Sequence, residues 1–136
     1  MWTYEQVTGA LRDNDGEVAD QGYSGAGDGK NDPDKQDEHE IGPIPQGTYT
    51  IGQPEFVNTP GPHGPFVLPL TPDPGDEMFG RSGFLMHGDS KEHPGAASKG
   101  CIIMKRTTRE QVWNSGDHRL QVVSGEAADT VAGDDS

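Results

Sequence analysis

Hydrophobic residues in this chain form short runs that are separated by glycines, prolines and acidic residues. Residues 48–51 (Thr-Tyr-Thr-Ile) alternate polar and apolar positions, which is the period of a half-buried strand. Residues 83–87 and 101–104 are nearly continuous apolar runs, typical of strands buried on both faces, and residues 120–123 predict a last strand. Runs this short, with little helical periodicity, predict a fold built from strands.

The first 25 residues predict short strands that are interrupted by a turn. The run Asp13-Asn14-Asp15-Gly16 has the composition of a hairpin turn. Residues 66–70 predict another short strand, and Pro69 places it at an edge or an end of the sheet, because proline cannot donate a ladder hydrogen bond. Residues 26–40 are polar and acidic, so we expect a solvated loop there.

One short helix is predicted towards the end of the chain. Residues 107–110 (Thr-Thr-Arg-Glu) resemble a capping box, which would open a helix that runs to about Trp113. Hydrophobic residues make up only 29% of the chain, which also has 20 glycines and 11 prolines. Average domains are roughly 45–50% apolar, glycine included. We therefore expect a mainly β fold with a sheet core, long loops and one short helix.

The length of 136 residues suits one domain with one core. We place that domain at residues 1–124. Residues 125–136 are small and acidic and predict a disordered tail.

The formal net charge of −13 narrows the class of partner. Nucleic acid requires clustered lysine and arginine, and an anionic membrane surface would repel this chain, so we expect neither as a partner. No run approaches the ~20 apolar residues that span a bilayer, so membrane insertion is not expected. Residues 1–6 show no secretory signal, and we expect synthesis in the cytoplasm.

Cys101 is the only cysteine, so it cannot form an intramolecular disulfide. It could be a buried apolar filler, an incidental thiol or a nucleophile. The small residues Ser98 and Gly100 precede it, and His87 lies fourteen positions upstream. A thiol beside an imidazole is a recurrent basis for acyl transfer, with backbone N–H groups near the thiol stabilising the oxyanion. The order of these residues favours the nucleophile.

A metal site is the alternative use of the histidines. The possible ligands are His87, Asp89 and His93, together with His39, His63 and His118. Their spacing is not HExxH, and one cysteine cannot make a multi-cysteine zinc site. The aspartates of the acidic loop lack the glycine and glutamate positions of an EF-hand. We therefore expect no metal and no cofactor.

The motifs around the two candidate residues carry a family resemblance. His87-Gly88, a loop, and then Ser98-x-Gly100-Cys101 followed by Ile-Ile-Met resembles the signature of the L,D-transpeptidase (YkuD-like) catalytic domain. The run Gly-Pro-Ile-Pro-Gln-Gly-Thr-Tyr at 42–49 is similar to a strand entry of the same domain. With Trp2-x-Tyr4, Gly-Tyr-Ser-Gly at 22–25 and Asn31, the set is most like the type VI secretion L,D-transpeptidase effector family. The resemblance covers roughly residues 2 to 123.

The resemblance implies a role for each matching residue. Cys101 would be the nucleophile and His87 its base, in a YkuD-like β-sandwich or sheet core. The Gly88 carbonyl would orient His87, while Ser98 and Gly100 would shape the turn and the oxyanion site. The residues proposed for substrate binding are Tyr23, Ser24, Arg81, Asp89 and Lys99. Arg81 could hold a substrate carboxylate bidentately. Four of the five residues also have a simpler interpretation: Arg81 as an exposed loop charge, Asp89 as a turn residue, and Tyr23 and Ser24 as a strand end.

One position departs from the family pattern. Many L,D-transpeptidases have a second histidine where this chain has Lys99. A second-histidine role is therefore not carried over, and the pair of Cys101 and His87 is kept.

The implied activity is on peptidoglycan. Cys101 would cleave the bond between the diamino acid and D-alanine of tetrapeptide stems through a thioester, as an L,D-carboxypeptidase or by exchange of D-amino acids. An antibacterial effector would be secreted, act in the periplasm of a target bacterium, and have a cognate immunity protein and a secretion-apparatus partner. The alternatives are a housekeeping L,D-transpeptidase that forms 3-3 cross-links and a non-catalytic wall-binding module.

Overall fold

The structure is a computed structural model that describes residues 1–55, 66–89, 95, 98 and 100–125. In chain order its elements are β1 (Trp2–Glu5), β2 (Ala10–Arg12), β3 (Val18–Gln21), β4 (Tyr23–Ser24), β5 (Gly47–Ile51), β6 (Leu68–Pro72), β7 (Leu85–His87), β8 (Ile102–Ile103), α1 (Arg106–Asn114) and β9 (Arg119–Val123). Two short 3-10 turns, Gly27–Gly29 and Pro33–Lys35, lie in the acidic loop. The expectation of a mainly β fold with one short helix is confirmed.

The strands form one sheet in the order β3-β2-β1-β9-β5-β6-β7-β8-β4. Two neighbouring pairs, β1 with β9 and β7 with β8, are parallel, and the others are antiparallel. The predicted hairpin turn is present between β2 and β3, where Asp13 N–H donates to Glu17 O at 2.9 Å. The strand predicted at the end of the chain, β9, lies inside the sheet between β1 and β5.

The core is built from alternate residues of the strands. Tyr4, Tyr49 and Leu120 come from three neighbouring strands and are all fully buried. The Tyr49 and Phe84 rings meet edge to face, with centroids 5.8 Å apart, which is a favourable geometry for an aromatic pair. The other apolar members of the core are Trp2, Leu11, Ile44, Ile51, Leu68, Leu70, Met86, Ile102, Met104, Val112 and Val122.

The edge position expected from Pro69 is wrong, because β6 lies inside the sheet. The two halves of this strand pair with different neighbours. Leu70 to Pro72 pair with β5, whereas Leu68 and Pro69 pair with β7. A proline without an N–H is tolerated where the ladder passes from one neighbour to the other, and its carbonyl still accepts from Gly52 N–H at 2.8 Å.

The predicted helix exists, but its predicted capping box is wrong. The helix α1 begins at Arg106, and its N-cap is Lys105, which makes no side-chain cap bond. Thr107 therefore lies inside the first turn and not at the cap position. The neighbouring Thr108 is buried and its hydroxyl donates to Asp20 Oδ2 at 2.7 Å, which ties the helix to β3.

Candidate active site

The candidate base and the candidate nucleophile belong to adjacent parallel strands. His87 ends β7 and pairs with Ile103, and Cys101 immediately precedes β8. Extending this register by one pair sets Cys101 opposite Leu85. Because side chains alternate between the two faces of a sheet, His87 and Cys101 lie on the same face.

His87 is held in one orientation by its own neighbour in the chain. The side chain is only 1% exposed, and Nδ1 lies 2.9 Å from the Gly88 carbonyl. A carbonyl oxygen can only accept, so this bond requires that Nδ1 carries the hydrogen. The neutral ring then has its lone pair on Nε2, the form that a general base needs.

A buried arginine lies against Gly88, the residue whose carbonyl holds this histidine. A Cβ added to Gly88 would lie 2.8 Å from Arg109 Nη1. Arg109 comes from α1, is 3% exposed, and donates from Nη1 to Met104 O at 2.7 Å and from Nε to Phe66 O at 3.0 Å. Burial lowers the pKa of Arg109. A larger side chain at position 88 would have to displace the buried guanidinium of Arg109.

Ser98 organises the turn that carries Cys101. Its hydroxyl is 1% exposed, accepts from Gly25 N–H at 2.9 Å and from Gly100 N–H at 3.2 Å, and donates to Cys101 O at 2.7 Å. These three bonds use the full capacity of a serine hydroxyl. Since the Gly100 N–H is engaged by Ser98, the Cys101 N–H is the better placed oxyanion donor of the two.

The environment of Cys101 favours the protonated thiol. Burial raises the pKa of Cys101, and this effect outweighs the hydrogen bond from the Leu85 backbone and the charge of Arg81, which both lower it. The sulfur also lies 4.0 Å from Gly83 O. A thiol that is protonated at neutral pH requires a base in order to react, which is the role expected of His87.

Cys101 opens into a cleft of about 200 Å³. The cleft lies between the end of the acidic loop and the segment that leads into β7. Its lining residues are His39, Glu40, Gly80, Arg81, Ser82, Gly83, Phe84, Gly100 and Cys101.

Arg81 is buried and lines this cleft. Its interpretation as an exposed loop charge is therefore wrong. Its side chain is 7% exposed. Nη1 donates to the carbonyls of Gln36 and of Pro43, the latter at 2.8 Å, and Nη2 donates to Gly42 O at 3.0 Å. Burial lowers the pKa of Arg81. The arginine thereby fastens residues 36–43 to the nucleophile's side of the sheet.

Two of the other residues proposed for substrate binding form a separate contact. The Tyr23 hydroxyl donates to Asp89 Oδ1 at 2.6 Å, and Lys30 Nζ lies 4.5 Å from the centroid of the Tyr23 ring. Asp89 also accepts from Gly95 N–H, which fits its interpretation as a turn residue. Neither Tyr23 nor Asp89 lines the cleft.

Ser24 and Lys99 are the last two residues proposed for substrate binding. Ser24 is fully buried, and its hydroxyl accepts from Ile44 N–H at 2.8 Å, which is a structural bond away from the cleft. Lys99 and the tail at 126–136 lie outside the described residues.

Sequence reasoning missed the part of the site that the acidic loop supplies. His39 and Glu40 line the cleft, and the carbonyls of Gln36, Gly42 and Pro43 hold Arg81. The position of backbone carbonyls cannot be predicted from residue types. The Gly-Pro-Ile-Pro run at 42–45 indicated a rigid segment, but not that its carbonyls bind Arg81.

The described residues contain neither a group of side chains suited to a metal ion nor a membrane-spanning helix. There, no three or more histidine, cysteine or acidic side chains are grouped so that they could hold a metal ion. In the same ranges, no helix has the length and apolar character needed to cross a membrane.

Comparison with known proteins identifies the family of this chain. A family model described as the Tlde1 domain matches residues 19–125, which is most of the chain and includes every residue of the cleft. No curated protein and no solved structure matches this chain.

Proposed function

Because this chain belongs to the Tlde1 domain family, a family of type VI secretion effectors, we propose that it is an antibacterial enzyme that cleaves peptidoglycan stems. Its substrate is the tetrapeptide stem, and the bond cleaved joins the diamino acid to the terminal D-alanine. The observation that carries the proposal is the parallel pairing of β7, which ends at His87, with β8, which directly follows Cys101. When this register is extended by one pair, both residues fall on one face of the sheet.

The first step transfers the acyl group to sulfur. His87 Nε2 removes the thiol proton as Cys101 Sγ attacks the diamino acid carbonyl, and the Cys101 N–H donates to the oxyanion. The C–N bond then breaks, and the proton on His87 passes to the departing amine of D-alanine. The raised pKa of Cys101 fits this order, because the thiol holds its proton until the substrate is bound.

The second step cleaves the thioester and releases the stem from Cys101. Water gives a trimmed tripeptide, another D-amino acid gives an exchanged stem, and the amine of a second stem gives a cross-link. In each case His87 takes a proton from the attacking group, the C–S bond breaks and the proton returns to sulfur. We propose trimming and exchange as the main outcomes, since both would deprive the target wall of stems that serve as substrate for normal cross-links.

The proposed setting follows from the family. An effector is delivered by the secretion apparatus into a target cell, and we place its action in the periplasm, where peptidoglycan stems lie. The producing cell would require a cognate immunity protein. The net charge of −13 favours a partner with a basic contact face.

The test is incubation with a disaccharide tetrapeptide, followed by mass analysis. Wild type should release D-alanine, whereas Cys101→Ala and His87→Ala should reduce release at least about 1,000-fold. His118→Ala is the matched control, because His118 stacks on the Trp113 ring of α1 and belongs to neither β7 nor β8. Unchanged release in Cys101→Ala would disprove the catalytic role.

The products also separate the alternatives. A housekeeping transpeptidase would yield 3-3 cross-linked dimers as its main product. A wall-binding module would retain the stem without changing its mass.

A further inference from the structure

Arg81 is a buried cation without a carboxylate partner in the described part of the chain. None of the ion pairs within that part includes it. The guanidinium is bonded to three neutral carbonyls instead. A buried charge is costly unless it is paired, so this side chain is suited to an anion that arrives from outside.

The bonding pattern leaves a defined set of donors. A guanidinium has five N–H bonds, and the loop carbonyls accept two from Nη1 and one from Nη2. The N–H of Nε and the second N–H of Nη2 remain, and these two nitrogens lie side by side on one edge of the guanidinium. Two neighbouring N–H groups match the two oxygens of a carboxylate.

The guanidinium of Arg81 lies close to the residue that precedes Cys101. Nη2 lies 2.1 Å from where a Cβ on Gly100 would be, and Gly100 directly precedes Cys101. Arg81 and Cys101 line the same cleft of about 200 Å³. That volume is below the ~300 Å³ of pockets for drug-sized ligands, and it suits a group of about one amino acid.

We propose that Arg81 binds the free carboxylate of the D-amino acid on the leaving side of the scissile bond. This inference rests on the proposed function, in which D-alanine leaves from Cys101. As the C–N bond breaks and the amine takes its proton from His87, the carboxylate stays unchanged on Arg81. An incoming D-amino acid occupies the same place in exchange, because the second step reverses the first.

This binding has a consequence for specificity. The enzyme acts only on a terminal residue, since a longer or amidated stem offers no carboxylate to Arg81.

The experiment compares two tetrapeptides that differ only at the C-terminus, one a free acid and the other a carboxamide. For wild type, kcat/KM should be about 10- to 100-fold higher for the acid, because the amide loses a charged hydrogen-bonded pair. In Arg81→Lys and Arg81→Gln this ratio should fall towards one. The ratio is taken within each variant, so a partly unfolded preparation lowers both rates and leaves it unchanged.

Arg106→Lys is the matched control, because Arg106 pairs with Glu110 on α1 and does not line the cleft. It should keep the wild-type ratio. Equal cleavage of acid and amide by wild type would overturn the role of Arg81 and leave the proposed function standing. An unchanged ratio in both Arg81 variants would also overturn it. Cleavage of neither peptide by wild type would overturn the proposed function and this inference together.

Discussion

The guanidinium of Arg81 occupies the space that a side chain on Gly100 would need. Arg81 Nη2 lies 2.1 Å from the ideal Cβ position of residue 100, which is much closer than two non-bonded atoms can approach. Gly100 also has a φ of +114°, in a region that side chains rarely adopt. Two independent constraints therefore act on the residue before Cys101.

Gly100→Ala should lower the free energy of unfolding by about 3 kcal/mol and abolish D-alanine release. About 1 kcal/mol of this arises from the positive φ, and the rest from displacing the buried arginine. Urea unfolding measures the first effect and the stem assay measures the second.

Gly75→Ala is the matched control, because Gly75 has a φ of +95° and nothing within 4 Å of its Cβ position. It should lose only about 1 kcal/mol. Equal losses in the two variants would show that the Arg81 contact has no energetic effect.

Ser98→Ala should destabilise the protein by about 2–4 kcal/mol, because it leaves two N–H groups and one carbonyl without their partner in a buried turn. Ser98→Thr keeps the hydroxyl and should lose less. Chemical denaturation gives both values. Ser115 also makes three hydrogen bonds but is exposed, so Ser115→Ala should lose only about 1 kcal/mol. A Ser98→Ala loss no larger than this would contradict the assignment.

Alkylation of Cys101 by iodoacetamide should have its midpoint above the ordinary thiol pKa of about 8.5. Burial raises the pKa of Cys101, so the thiolate fraction is low at neutral pH and grows only as the pH rises. The rate measured from pH 6 to 10 gives the midpoint, with a small free thiol as reference. Because the Arg81 charge lowers this pKa, Arg81→Gln should move the midpoint further up. A midpoint below that of the reference thiol would refute the prediction.

The two fully buried tyrosines should respond oppositely to loss of the hydroxyl. The Tyr49 hydroxyl donates to Pro45 O at 2.7 Å, whereas the Tyr4 hydroxyl has no hydrogen-bond partner within the described residues. Tyr49→Phe should therefore cost about 1 kcal/mol, and Tyr4→Phe should be neutral or stabilising by about 1 kcal/mol. Thermal or urea unfolding of the pair decides the point, and a larger loss for Tyr4→Phe would contradict it.

The same two side chains predict a loss of stability in alkali. Burial raises the pKa of Tyr4 and of Tyr49 above the ordinary value. The folded state then holds protons that the unfolded state releases, so stability is complete below pH ~10 and falls as the pH rises beyond it. The urea midpoint at pH 10.5 should lie below that at pH 8, and Tyr4→Phe should reduce the difference.

Local patterns were sufficient to predict much of the sheet. The alternation at residues 48–51 and the apolar run ending at His87 correspond to β5 and β7. The turn at residues 13–16 is also local, because its residue types determine its backbone conformation. The candidate pair His87 and Cys101 was predicted from the order of residues in a motif, and the pairing of β7 with β8 agrees with a shared face once it is extended by one pair.

The errors concern properties that depend on distant residues. Pro69 suggested an edge strand, and only the full ladder shows that β6 changes neighbours at that point. Arg81 looked like a loop charge because its three acceptors are backbone carbonyls more than 35 positions away, which a sequence does not display.

The continuity of the sheet depends on β9, which lies between β1 and β5. This strand joins the β3-β2-β1 group to the β5-β6-β7-β8-β4 group that carries Cys101. A fragment that ends before Arg119 lacks both pairings of β9, so its sheet is split into two pieces. Residues 119–123 supplied as a separate peptide would restore both pairings, so that the completeness of the sheet is controlled by adding that peptide.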